Sequence, residues 1–180
     1  MQPTRFLLIR HAESTWNAGG RWQGHGDPPL SERGRAQAAA LAVRLAGEAV
    51  DLLIASDLVR SVQTAAILGA QWGLVPRHDA RLREIDIGAW TGLTREQIAE
   101  REAELLARFE AEDLEARPGG GETRLEIRAR VRAAAAELAA AHPGRRLALV
   151  THLGVIRALA PGAEPANADW LRLPLPLLAP

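Results

Sequence analysis

Cysteine and lysine are both absent from this chain of 180 residues. Without cysteine the chain has no disulfide, no thiolate nucleophile, and no zinc-ribbon or iron–sulfur site. Without lysine, all 22 basic side chains are arginines, so every cationic side-chain contact to a phosphate or carboxylate comes from a guanidinium group. Because folding needs no disulfide, a cytoplasmic location is allowed, and we expect one.

Net charge and long apolar runs are missing as well. The 22 basic residues balance 22 acidic ones, which argues against a broad nucleic-acid surface or a polybasic membrane surface. The longest apolar run near the start, Phe6 to Ile9, is far too short for a membrane span or a signal-peptide core. Apolar residues make up 47% of the chain, enough for one sizeable core. We therefore predict a single domain over residues 1–180.

Apolar strands alternate with helical segments along the chain. Strands are predicted at 5–9, 51–55, 75–78 and 147–150, with an edge strand at 170–173. Helices are predicted at 36–45, 94–112, 123–141 and 154–160, and a further helix is predicted to follow the second strand. Ser31 is the predicted N-cap of the first helix, and Ser56 or Asp57 is the predicted N-cap of the helix after the second strand. This alternation predicts a three-layer α/β/α sandwich with a mostly parallel sheet. The segment 88–123 is a candidate lid outside the sheet, and prolines in the last ten residues predict an irregular tail.

Polar side chains follow the predicted strands at the points where the strands end. In such sheets ligands bind at the carboxyl ends of the strands, so these side chains are expected to converge. The set holds two histidines, two or three arginines, an amide and a carboxylate: His11, His152, Arg10, Arg60, Arg83, Asn17 and Glu84. Imidazoles and guanidinium forks together make an anion site, and the natural anion is phosphate. One histidine can attack phosphorus, the forks can hold the phosphoryl oxygens, and a protonated carboxyl can supply the leaving group's proton.

Six short motifs, in this order, resemble those of the histidine phosphatase superfamily, which has the phosphoglycerate mutase-like fold. They are Arg10–Asn17 (RHAESTWN), Gln23–Ser31 (QGHGDPPLS), Ser56–Ala65 (SDLVRSVQTA), Leu82–Gly88 (LREIDIG), Gly120–Thr123 (GGET) and Thr151–Gly154 (THLG). The resemblance runs from about residue 5 to residue 160, which is most of the chain. It implies a metal-independent enzyme with no cofactor.

The resemblance also implies a role for each matching residue. His11 would become a phosphohistidine, and Glu84 would protonate the leaving group and then activate water. Arg10, Arg60 and His152 would bind the phosphoryl oxygens, with His152 counted among the catalytic residues. A further oxygen would be held by Asn17. Residues in contact with the rest of the substrate are expected nearby, at Trp22, Gly24, His25 and Leu153.

This chain departs from the family pattern at three places. Ala12 and Leu153 stand where the family usually has glycine, and the region after the last motif is short. A short end implies a thinner sheet edge or a homodimer that covers it. The residues that follow Glu84 lack the arginine and tyrosine with which mutases hold a carboxylate.

A short lid and a missing carboxylate clamp favour hydrolysis of a small phosphorylated metabolite over phosphoryl return. Small bacterial broad-specificity phosphatases and alpha-ribazole phosphatases are the most similar subgroups. Two alternatives stay open: a phosphoglycerate mutase-type phosphotransferase and a catalytically idle phospholigand-binding or protein-binding module.

Overall fold

A five-stranded sheet forms the centre of the protein, and the computed structural model describes residues 3–173. The strands are β1 (Arg5–Arg10), β2 (Leu52–Ala55), β3 (Arg77–His78), β4 (Arg146–Thr151) and β5 (Trp170–Leu173). Their order across the sheet is β3-β2-β4-β1-β5. Strands β1 to β4 are parallel, and β5 lies at the edge, as predicted. The structure adds that β5 pairs antiparallel with β1.

Helices cover both faces of the sheet. They are α1 (Thr15–Ala18), α2 (Glu32–Arg44), α3 (Val59–Trp72), α4 (Arg95–Glu110), α5 (Arg124–Ala141) and α6 (Leu153–Leu159). Alternate residues of β1 belong to two different apolar clusters. Phe6 and Leu8 pack with α4, α5 and α6, whereas Leu7 and Ile9 pack with α2 and α3. The predicted three-layer architecture is therefore confirmed. Within residues 3–173, no helix is both long and apolar enough to cross a membrane.

Three predicted helix caps are present, and a fourth is wrong. Thr94 and Thr123 each form a capping box, and Ser31 caps α2. Neither Ser56 nor Asp57 caps α3; the N-cap is Leu58, which has no capping side chain. The Asp57 carboxylate is instead paired with Arg83, and the free N–H of Val59 donates to Asp27 Oδ1 at 2.6 Å.

Two predicted elements are shorter in the structure than the sequence predicts. Strand β3 is limited to Arg77–His78, because Val75 stands outside the sheet with 87% of its surface exposed. Helix α4 ends at Glu110 rather than at 112 and is interrupted at Glu102, whose carboxylate accepts a hydrogen bond from Trp90 Nε1. The predicted edge strand at 170–173 is present as β5, and the rest of the predicted irregular tail, 174–180, lies outside the described residues.

The candidate lid, residues 88–123, is joined closely to the main body at both ends. Its apolar side chains, among them Trp90 and Phe109, belong to the same core cluster as β1 and α5. Glycine is required where the two ends meet: a Cβ at Gly121 would lie 2.2 Å from the carbonyl oxygen of Asp86. The N–H of Glu122 donates to that same oxygen. Motion of this segment as a lid remains a prediction.

Candidate active site

The predicted site residues meet at the carboxyl ends of β1, β2 and β4. His11 follows β1, His152 follows β4, and Arg60 lies in the first turn of α3 beyond β2. The rings of the two histidines are 5.0 Å apart between centroids. The charge of Glu84 acts on both Arg10 and Arg60, so the carboxyl group lies near the same centre. The structure thus brings together five predicted residues from four parts of the chain.

The geometry around His11 fixes which ring nitrogen is free. His11 is 2% exposed, and its Nδ1 lies 2.8 Å from the carbonyl oxygen of Ala12. A carbonyl can only accept, so Nδ1 carries the proton and Nε2 keeps its lone pair. Burial, and next the charge of Arg60, hold the pKa of His11 well below its ordinary value. The methyl group of Ala12, one of the departures from the family pattern, is fully buried in the cluster with α2 and α3.

His152 is fully buried against Ser61, whose Oγ lies 3.3 Å from Nε2. Burial, then the charges of Arg60 and His11, lower the pKa of His152 far below its usual range. With Ser61 as donor, the neutral ring carries its proton on Nδ1. Sequence reasoning missed Ser61, although it lies inside the motif Ser56–Ala65.

Two buried arginines complete the centre. Arg60 donates to the carbonyl oxygens of Gly24 and Gly26 at 2.9 and 2.7 Å, and burial lowers its pKa to about 10. Arg10 donates to the carbonyl oxygen of Pro165. Buried polar groups normally find a partner. Within the described residues, three buried nitrogens at this centre have none: Arg10 Nε, Arg60 Nε and His152 Nδ1. Such an array of unpaired donors is suited to an anion.

The Glu84 carboxyl group is held by one of its oxygens. Oε1 accepts hydrogen bonds from the backbone N–H of Ile85 at 2.9 Å and of Gly154 at 3.0 Å. None of the described residues donates to Oε2, which leaves that oxygen available for proton transfer. Glycine is needed at position 154, because a Cβ there would lie 2.3 Å from Oε1.

A second layer of contacts fixes the backbone that carries Glu84. His25 Nε2 donates to the Glu84 carbonyl oxygen at 2.9 Å. Arg130 donates to the carbonyl oxygens of Arg81 and Arg83 at 2.7 and 3.1 Å, and it pairs with Glu122 at 2.7 Å. Sequence reasoning missed Arg130, which lies on an alanine-rich helix where no local pattern singles it out.

The remaining predicted residues surround this centre. Asn17 belongs to the capping box of α1, where its Oδ1 accepts from the N–H of Ser14. Trp22 packs edge-on against Trp90, with ring centroids 5.7 Å apart. Leu153 is partly exposed at the start of α6, next to His152. Contact between these residues and a substrate remains a prediction.

The two buried histidines should make stability depend on pH. Their folded-state pKa values are lowered, so below pH 6.5 the unfolded chain binds more protons, and unfolding becomes easier as the pH falls. Between about pH 7.5 and about pH 5.5, each histidine should lower the free energy of unfolding by about 1 kcal/mol. Urea unfolding at both pH values measures this. His11→Asn and His152→Asn should each remove the contribution of one histidine to this pH dependence. An unfolding free energy that stays flat over this range would contradict the prediction.

Comparisons with known proteins agree with this geometry. The sequence model of the histidine phosphatase superfamily (branch 1) matches residues 6–177. A glucosyl-3-phosphoglycerate phosphatase of Mycobacterium tuberculosis is 42% identical over 97% of this chain and 78% of its own length. A metal-independent phosphoserine phosphatase of Arabidopsis thaliana is 38% identical over 87% of this chain and 67% of its own length.

Solved structures give the same result. A mycobacterial glucosyl-3-phosphoglycerate phosphatase in complex with VO3 superimposes with a TM-score of 0.86 and 39% identity, over 93% of this chain and 91% of that one. The alpha-ribazole phosphatase of Shigella flexneri does so with a TM-score of 0.81 and 27% identity, over 93% and 89%. The predicted fold is confirmed, and the predicted hydrolase is favoured over the mutase because these similar proteins are phosphatases. The chain belongs to branch 1 of the histidine phosphatase superfamily.

Proposed function

We propose that this phosphatase hydrolyses monoesters of small phosphorylated metabolites through a phosphohistidine on His11, without a metal ion. The observation that carries the proposal is the free Nε2 of His11 at the same centre as three nitrogens without a partner among the described residues, on Arg10, Arg60 and His152. The similar proteins support it because they are phosphatases of small molecules, and one is named metal-independent.

In the first half-reaction the phosphoryl group moves to the histidine. Arg10, Arg60 and His152 bind its oxygens, and Asn17 binds one more. The lone pair on His11 Nε2 attacks phosphorus, and the bond from phosphorus to the ester oxygen breaks. Glu84 gives the departing oxygen its proton from Oε2, so the alcohol leaves neutral.

In the second half-reaction water releases the phosphate. The Glu84 carboxylate takes a proton from a water molecule, and the water oxygen attacks phosphorus. The nitrogen–phosphorus bond breaks, inorganic phosphate forms, and His11 regains its lone pair. The guanidinium groups of Arg10 and Arg60 neutralise the charge on the phosphoryl oxygens throughout, which is the largest contribution expected in phosphoryl transfer.

Several finer statements belong to the same proposal. Trp22, Gly24, His25 and Leu153 surround the leaving group, and residues 88–123 act as a lid. The protein works in the cytoplasm, binds no nucleic acid and forms a homodimer.

The proposal is tested by combining a chelator with trapping of the intermediate. Hydrolysis of p-nitrophenyl phosphate by the wild-type protein should continue at an unchanged rate in EDTA. Brief mixing with a phosphorus-labelled substrate, followed by denaturation, should leave label on the protein that is stable to alkali and lost in acid, as a nitrogen–phosphorus bond requires. Hydrolysis abolished by EDTA and restored by added metal would contradict the metal-free mechanism. A label lost in alkali but stable in acid would contradict the phosphohistidine.

A further inference from the structure

A cleft of about 90 Å³ lies next to the candidate active site, between α5 and α6. It reaches Glu84 through two neighbours of that residue. Ile85 and Gly154, whose backbone N–H groups both donate to the Glu84 carboxyl group, are part of its wall. Ile127 and Ala158 are buried and form an apolar floor. The cleft therefore adjoins the two backbone groups that hold the Glu84 carboxyl group.

Three guanidinium groups surround this floor: Arg124 and Arg128 on α5, and Arg157 on α6. Arg157 is neutralised by Glu164 at 2.5 Å. Among the ion pairs of the described residues, none includes Arg124 or Arg128. Glu112 is the one carboxylate of the cleft wall, and it acts on Arg124 only through its charge. The wall thus has an excess of positive charge.

Arg124 has a buried guanidinium nitrogen that is unpaired within the described part of the chain, as the two arginines of the phosphate site do. Its Nε is buried and has no hydrogen-bond partner among residues 3–173, like Nε of Arg10 and of Arg60. Its guanidinium carbon lies 4.5 Å from the ring centre of Phe109, and its Nη2 donates to the Phe109 carbonyl oxygen at 2.9 Å. The group is fixed in place before any ligand arrives. Burial lowers the pKa of Arg124, and the like charges of Arg157 and Arg128 lower it further.

We propose that Arg124 and Arg128 bind a carboxylate of the substrate, outside the phosphate pocket. This rests on the proposed phosphatase function and names the substrate class: phosphate monoesters that also carry a carboxylate. A carboxylate fits because it is planar and takes parallel N–H donors from a guanidinium fork. The apolar floor takes the carbon atoms between the two anionic groups. The carboxylate contact that is missing directly after Glu84 is thus supplied by α5.

A matched pair of substrates isolates the carboxylate. Phosphoserine and phosphoethanolamine differ only in that group. The wild-type protein should prefer phosphoserine in kcat/KM by about 10-fold to 100-fold, the scale of a charge-assisted hydrogen bond. Arg128→Gln and the double variant Arg124→Gln/Arg128→Gln should reduce this ratio by about tenfold or more. Arg128→Gln is the cleaner variant, because no hydrogen bond of the described structure involves that side chain.

The control replaces an arginine of equal charge far from the cleft. Arg44 is exposed in the last turn of α2, on the other face of the sheet, and Arg44→Gln should leave the ratio at its wild-type value. A wild-type ratio near one, or a ratio that survives in both cleft variants, would overturn the proposal. Failure of the proposed phosphatase function would give a different result from failure of the carboxylate site, because p-nitrophenyl phosphate would then not be hydrolysed either. Calorimetric measurement of phosphoserine and phosphoethanolamine binding to the wild-type protein and the same variants would still test whether Arg124 and Arg128 bind the carboxylate.

Discussion

The His11→Ala protein should lose at least about 1,000-fold in kcat/KM for p-nitrophenyl phosphate, measured in EDTA. The reason is that Nε2 of His11 is the protein's nucleophile in the proposed mechanism. The hydrogen bond from Nδ1 to the Ala12 carbonyl oxygen leaves Nε2 as the nitrogen without a proton, and burial keeps the ring neutral. The lowered pKa of His11 extends this state to mildly acidic pH. The wild-type protein should therefore show no loss of kcat/KM through this residue as the pH falls from 7 to 6.

A second substitution separates loss of the nucleophile from damage to the fold. The amide of His11→Asn can still donate to the Ala12 carbonyl but has no nucleophilic nitrogen. Both variants should be inactive while remaining folded by circular dichroism, whereas His78→Ala should keep wild-type activity because His78 is exposed on β3. Activity that persists in a folded His11→Asn protein would rule out the phosphohistidine and leave another group as the nucleophile.

The central residues could be predicted because their signal is local. Arg10 and His11 follow directly after an apolar strand, and His152 follows another. Because the carboxyl ends of parallel strands meet at the same edge of a sheet, all three residues are expected at that edge. Arg60 and Glu84 were also predicted from the polar residues that follow strands, the order of six motifs agreed with this, and the structure brings both to the same centre. Local capping patterns also predicted where α4 and α5 begin.

The contacts that hold these residues could not be predicted, because they join distant parts of the chain. Asp27 caps α3 from 32 residues away, and Arg130 holds the backbone beside Glu84 from the middle of α5. No pattern within a helix shows which arginine turns toward the core and which toward solvent. The cleft arginine Arg124 was missed for the same reason, since its unpaired Nε is visible only in three dimensions.

The Glu84→Gln protein should lose activity to an extent that depends on the leaving group. With an alkyl phosphate such as glycerol 3-phosphate, kcat should fall by about 100-fold to 10,000-fold, the usual contribution of a general acid. Glutamine keeps the oxygen that accepts from the N–H groups of Ile85 and Gly154, so the side chain stays in position without a proton to give. The exposed Glu137, replaced by glutamine, serves as the control.

With p-nitrophenyl phosphate the same variant should behave differently in its two steps. Nitrophenolate is a stable anion that leaves without a proton, so transfer to His11 should remain fast. Release of phosphate still needs Glu84 to activate water, so the phosphohistidine should accumulate. Rapid mixing should therefore show a burst of nitrophenolate stoichiometric with the enzyme, followed by slow turnover. An equal loss with both substrates and no burst would mean that Glu84 serves only to position the phosphate site, because proton transfer alone distinguishes the two leaving groups.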